Sequence, residues 1–171
     1  MSGAVAATPP PPALPAAALR VRAALADAGV HVDVVTLSAS ARTAQMAAEA
    51  LGVGVGQIAK SLVFRASGSG RAVLVVAAGD RRVDEARIAA MLGEPIERAT
   101  PEFVREHAGF AIGGVAPVAH ARPMARFADA SLRRFDVVWA AAGTPHCVFP
   151  VPAARLLDLL LRDGGVETEV A

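Results

Sequence analysis

Two apolar, β-branched runs, 58–66 and 71–78, flank the tetrapeptide Ser67-Gly68-Ser69-Gly70. No other stretch restricts the fold as strongly, because a glycine-bearing connector between two such runs predicts an antiparallel hairpin. The first run, Ile58-Ala59-Lys60-Ser61-Leu62-Val63-Phe64, contains the only lysine of the chain, whose other sixteen basic residues are all arginines. Arginine supplies a plain positive charge, but not a compact ammonium whose pKa responds to burial. An unpaired ammonium in an apolar run is also costly. Lys60 is therefore read as a functional residue, in preference to a strand residue whose stem lies along the sheet with its head in water.

The rest of the chain is read around this hairpin. A helix is predicted from Pro15 to Gly29, then a strand over 32–37. Thr43 should cap a helix over 44–51, with Met46, Ala47, Ala50 and Leu51 on one face and Gly52 ending it. After the hairpin, Asp80 and Asp84 precede a helix carrying Ala86, Ile88, Ala89, Met91 and Leu92, which stops at Gly93. A short strand near 95–99 leads to Thr100-Pro101, an N-cap and first-turn pair for a helix to His107. Gly109 to Pro117 is a glycine-bearing loop. A strand near 122–128, a helical turn at 129–134 and a buried strand over 137–142 follow. Gly143-Thr144-Pro145-His146 breaks that strand, and a second one, 147–151, precedes a closing helix from Pro152 to about Arg162. Its Leu156, Leu157, Leu160 and Leu161 should face inward. Helices and strands interleave irregularly around at least one hairpin, so the expected class is α+β with a mixed sheet.

At 171 residues the chain fits one domain, 15–171, preceded by an Ala/Pro-rich tail, 1–14. Four consecutive prolines in that tail favour extended, disordered chain. The net charge of +1 gives no overall basic field, so any contact with RNA must be a local patch or confined to an RNA end. The only cysteine, Cys147, precludes an internal disulfide and suits a reducing cytoplasm. No basic opening and apolar core mark a signal peptide, and no apolar run approaches the roughly 20 residues of a membrane span. A soluble cytoplasmic protein is expected.

Familiar catalytic patterns are missing. Gly52-Val53-Gly54-Val55-Gly56 lacks the preceding strand of a dinucleotide fingerprint, and no Gly-x-Ser-x-Gly elbow is present. His31, His107, His120 and His146 are scattered, without zinc-site spacing. Asp80-Arg81-Arg82 reads as a helix cap, Arg133-Arg134 as solvated, and Cys147 as a small buried apolar residue. Two glycine turns stand out. In Gly113-Gly114-Val115-Ala116-Pro117 the glycines let backbone N–H groups approach a ligand, and Gly143-Thr144-Pro145-His146 offers a hydroxyl and an imidazole. The ordinary alternative for each is a simple connection.

Taken together, these segments resemble the YbaK/EbsC/ProX family of aminoacyl-tRNA deacylases, free-standing relatives of the editing domain inserted in bacterial prolyl-tRNA synthetases. The likeness runs from about residue 43 to 160. It comprises Thr43-Ala44, Ile58 to Phe64, Ala78-Gly79-Asp80-Arg81-Arg82-Val83-Asp84, Gly113 to Pro117, and Val138-Trp139-Ala140-Ala141-Ala142-Gly143-Thr144-Pro145. The resemblance implies a curved, mixed, partly barrel-like sheet flanked by helices around a small pocket. It implies that activity depends on Lys60. It also implies that Gly113, Gly114, Val115 and Pro117 hold the 3′-terminal adenosine and its ester, while Gly143, Thr144 and His146 close the other side. No metal or organic cofactor is implied. The expected partner is the acceptor end of an aminoacyl-tRNA, with tRNA for proline the default and a prolyl-tRNA synthetase a candidate associate.

An aminoacyl ester is already activated, so its hydrolysis needs a positioned water and a stabilised oxyanion more than a strong nucleophile. The expected function is therefore hydrolysis of a mischarged aminoacyl-tRNA ester carrying a small amino acid such as Ala, Ser, Thr or Cys. One methylene is worth only about 1–3 kcal/mol in such a pocket, and the sequence does not choose among these acyl groups. The rival readings are a non-catalytic tRNA-, nucleic-acid- or synthetase-binding module of the same fold, and a hydrolase of a free small ester or amide.

Overall fold

The computed structural model describes residues 9–171. Most of the expected elements are present. The helices are α1 (Ala16–Asp27), α2 (Ala44–Leu51), α3 (Glu85–Leu92), α4 (Pro101–Ala108) and α5 (Ala153–Leu160). The strands are β1 (Val35–Thr36), β2 (Ile58–Ala66), β3 (Ala72–Ala78), β4 (Ile96–Arg98), β5 (Ala125–Asp129), β6 (Val137–Thr144), β7 (Cys147–Pro152) and β8 (Val166–Thr168). All eight join one mixed sheet in the order β1-β7-β6-β2-β3-β5-β8, with β4 attached to β2. β2 and β3 pair antiparallel as the hairpin reading required, whereas β2/β6, β3/β5 and β5/β8 are parallel.

Local chemistry sets the helix ends. The Thr43 hydroxyl accepts from Met46 N–H and Gly52 ends α2 in the left-handed region. Thr100 accepts from Phe103 N–H with Pro101 at the first helical position. Asp84, not Asp80, caps α3 by accepting from Arg87 N–H at 3.1 Å.

β2 holds the middle of the sheet, and every residue of its neighbour β3 is buried. On one face, α1 places Ala18, Val21 and Leu25 against a core completed by Leu132, Phe149 and the α5 residues Leu156, Leu157 and Leu160. Phe64, Val73, Val75, Ile88 and Phe127 fill the other face. Truncating Phe149, which is fully buried, to alanine should cost about 3–5 kcal/mol, readable as a lowered midpoint in chemical denaturation.

Several expectations shift. The strand predicted over 32–37 shrinks to two residues pairing with β7. The buried face of α2 is Ala47 and Ala48, while Met46 is exposed. Leu161 ends α5 half-buried, and Leu159 takes an inward position. β6 runs on through Gly143-Thr144 with a bulge, so the break is only Pro145-His146. β8, unforeseen, adds a parallel edge beside β5. Of the tail expectation, residues 1–8 lie outside the described residues. Residues 9–14 carry no regular structure, although Leu14 packs against the core. Among the described residues no helix is long and apolar enough to cross a membrane.

Candidate functional site

The sheet has a gap, and the site sits in it. β6 pairs with β2 only at Ile58 and Ala59, and β4 only from Phe64 onward. Between them, residues 60–63 have β3 on one side and no strand on the other. A cleft of about 1080 Å³ opens along this gap. It is walled by β2, by the segments at 41–44 and 79–85, by 112–115, and by the β6–β7 hairpin around Trp139 and Thr144.

Lys60 lines this cleft, half-buried. Burial pushes its ammonium below the ordinary 10.5, and the carboxylates of Asp80 and Asp129 oppose that effect. Asp129 is 1% exposed. Its Oδ2 accepts from Ala78 N–H at 3.0 Å and its Oδ1 from Ser131 N–H at 2.9 Å. Lys60 pairs with Ala77, and the β3/β5 register carries Asp129 opposite Ala77. Lys60 and Asp129 thus lie on one face, about 10 Å apart at their Cα atoms across two strand spacings. Sequence reading missed Asp129; the only signal was a carboxylate closing the short strand Ala125-Arg126-Phe127-Ala128-Asp129 just before a helical turn.

Asp80 and Arg134 correct two further readings. Arg134 donates two hydrogen bonds to the Asp80 carboxylate, at 2.9 and 2.7 Å, and holds it below the usual carboxylate range. Arg133 donates to Glu167 of β8. Asp80 is therefore no helix cap, and neither arginine of the pair is merely solvated.

The two glycine turns meet beside the lysine. Gly113, Val115 and Thr144 line the cleft together with Lys60. Gly113 adopts φ +90°, and a Cβ there would lie 3.5 Å from Arg42. Gly114 packs on the hairpin, where a Cβ would stand 2.6 Å from the Thr144 Cα, and its N–H donates to the Ala111 carbonyl. Neither Gly114 nor the remaining three sequence candidates line the cleft. Pro117 is buried beneath the loop. Gly143, at φ +91°, turns toward α1, where a Cβ would meet Ala17 and Phe110 at 2.9 Å. His146 is exposed at the hairpin tip, and its carbonyl accepts from Leu37 N–H at 2.7 Å.

The aminoacyl-tRNA editing domain family matches residues 38–159, which includes every wall of this cleft. The chain belongs to that family. A curated relative, the uncharacterised protein YwhH of Bacillus subtilis (strain 168), is 38% identical over 126 residues, covering 74% of this chain and 80% of its own. A solved structure described as a candidate trans-editing enzyme for prolyl tRNA synthetase is 43% identical, with a TM-score of 0.83 over 92% of this chain and 98% of its own. A hypothetical protein, APE2540, gives 25% identity and a TM-score of 0.80 over 88% of this chain and 98% of that one.

The editing domain pins its glycine loop with His120, whose Nε2 lies 2.8 Å from the Ala116 carbonyl oxygen. Phe110 meets the imidazole edge-on, and Arg20 lies 4.5 Å over the Phe110 ring. Burial, the largest cause, pushes the His120 pKa below 6.5. The unfolded chain then binds a proton that the folded one refuses, so stability held above pH 6.5 is lost as pH falls from there through the lowered pKa. His120→Gln should flatten this part of the acid limb of a Tm-against-pH curve.

The rim of the editing domain's cleft is basic. Arg42, Arg81, Arg82 and Arg98 line it, and among the described residues none of their guanidinium groups makes an ion pair or hydrogen bond. Among the described residues no three His, Cys, Asp or Glu side chains gather as metal ligands would.

Proposed function

We propose that this domain hydrolyses the ester of a mischarged aminoacyl-tRNA in trans, with Lys60 as the residue on which turnover depends. One observation carries the reading: the only lysine of the chain is half-buried in a cleft rimmed by four unpaired arginines and bordered by the Gly113 and Thr144 turns. A cleft of about 1080 Å³ has room for a terminal adenosine with a small acyl group. Water adds to the ester carbonyl carbon, the bond to the ribose oxygen breaks, and the amino acid leaves as its acid. The Lys60 ammonium offsets the charge developing on the reacting oxygen or fixes the terminal phosphate. The neighbouring ribose hydroxyl of the substrate assists the water.

The relative described as a candidate trans-editing enzyme for prolyl tRNA synthetase supports proline tRNA as the first substrate to try. Small acyl groups such as Ala, Ser, Thr and Cys are the candidates, in the cytoplasm where tRNA is charged. Purified protein should deacylate at least one of these esters on proline tRNA. A panel left untouched, or cleaved as fast by Lys60→Ala as by wild type, would falsify the catalytic reading.

The arginine rim supports contact with a phosphodiester backbone. Despite a net charge of only +1, the chain concentrates four guanidinium groups at the cleft mouth. Arg82→Ala should weaken tRNA binding and reduce the slope of log affinity against log salt by about 0.7, the value for one single-strand phosphate contact. An unchanged slope in a fluorescence titration across salt concentrations would remove Arg82 from the binding surface.

A further inference from the structure

The pairing of β2 with β3 fixes where each β2 main-chain group points. Gly79 N–H donates to the Ile58 carbonyl at 2.7 Å, and Ala66 N–H to the Arg71 carbonyl at 2.9 Å. In an antiparallel ladder this directs the N–H and C=O of residues 58, 60, 62, 64 and 66 toward β3. Residues 59, 61, 63 and 65 direct theirs to the opposite edge. Ala59 pairs there with β6, and Arg65 with Glu97 of β4. Ser61 lies where neither ladder reaches, and at Val63 the β4 ladder takes only the carbonyl, so the Ser61 N–H and C=O and the Val63 N–H are left over; both residues line the cleft. Among the described residues no side chain bonds their main-chain groups, and the Ser61 hydroxyl is buried without a partner.

Unpaired main-chain groups away from bulk water are rare, because each forfeits a hydrogen bond that water or a ladder would supply. Here three of them, the Ser61 N–H and C=O and the Val63 N–H, open into the same cavity. The glycine turns do not offer as much: the Gly114 N–H is already held by Ala111, and Gly143 faces α1. The free edge presents donors and acceptors at the repeat of a β-ladder, and the ligand that matches such a repeat carries an amine and a carbonyl on adjacent carbons.

We propose that Ser61 and Val63 form the acyl-recognition edge of the cleft, receiving an α-aminoacyl ester as a one-residue β-bridge. The substrate ammonium donates to a carbonyl of this edge, and the ester carbonyl oxygen accepts from one of its N–H groups. This rests on the aminoacyl-ester reading above and assigns it a mode of recognition. It has a consequence for specificity. An ester whose α-nitrogen is acylated, as in peptidyl-tRNA, lacks the ammonium, and one bearing a hydroxyl there offers only a neutral donor. Small side chains pass because the bridge holds main-chain atoms only.

The probes are two non-hydrolysable adenosines, one bearing an L-alanyl group through a 3′-amide and the other its lactyl counterpart. Both are titrated into the ¹⁵N-labelled full chain, so no variant has to fold and no turnover is needed. The Ser61 and Val63 amide resonances should both move with the alanyl probe, and the one that donates to its carbonyl should move downfield. The lactyl probe should bind about 10–100-fold more weakly, the loss expected for one hydrogen bond to a charged group. Shifts confined to 113–117 and 144–145, equal affinity for the two probes, or no binding of the alanyl probe at millimolar concentration would each overturn the proposal. Robust deacylation with unmoved Ser61 and Val63 would sink the edge alone. Binding at the edge without deacylation would leave the edge assigned and remove the hydrolase.

Discussion

Lys60→Ala should lower deacylation by about 10²–10³-fold, the scale of losing one electrostatic group aimed at a reacting oxygen, while the fold survives. Its stability should rise rather than fall. Burial holds the ammonium below 10.5, so the unfolded chain binds the proton more readily than the folded one. The charged lysine therefore weakens the fold at neutral pH, and the penalty disappears only as pH climbs from the folded pKa toward 10.5. Lys60→Met removes the charge and keeps the stem, so it is the cleaner test: inactive, with Tm raised at pH 7 and the gain shrinking above the folded pKa. Lys60→Arg should also be impaired, because a forked guanidinium is bulkier than the ammonium it replaces. Retained activity in the methionine variant would remove Lys60 from the chemistry.

Asp129→Asn should be the most damaging single-atom change near the site. Both carboxylate oxygens accept from main-chain N–H groups in a place that is 1% exposed. An amide can accept from only one of them and turns its NH₂ against the other donor. Leaving one buried donor unpaired costs about 1–3 kcal/mol, a fall of roughly 2–12 °C in Tm for a domain of this size. Asp129 also raises the Lys60 pKa, so its loss should move the alkaline fall of activity to lower pH. That shift in the pH–rate profile separates a positioning role from a merely structural one. A variant that loses stability but keeps the wild-type alkaline limb would show Asp129 to be only a cap for the turn after β5.

The family is legible in the residues themselves, because the motifs that mark it are short, ordered along the sequence and rich in glycine. Helix ends were legible for the same kind of reason. Thr43, Gly52, Thr100 and Gly93 act through their own neighbouring backbone, and such local chemistry does not wait for tertiary packing. The face of α2 was not legible, since alanine-rich helices carry little amphipathic contrast and Ala47 and Ala48 are buried only because Ile58 and Val148 pack there. β8 was also missed: three residues, Val166–Thr168, have no pattern of their own, and their strand exists only because β5 offers an edge.

The sequence by itself determined the hairpin, the mixed class of the sheet and the singular lysine on its first strand, since each follows from local propensity, turn chemistry and composition. Tertiary structure alone decided the site. β6 stops at Ala59 and β4 begins at Phe64, and the gap between them is what opens a cleft beside Lys60. The same long-range pairing turned Gly143 and His146 away from that cleft and brought Asp129 beneath the lysine, across two strands and 69 positions of sequence (129 − 60 = 69). Register and strand order are set by hydrophobic faces meeting far along the chain, and no local pattern of residues encodes them.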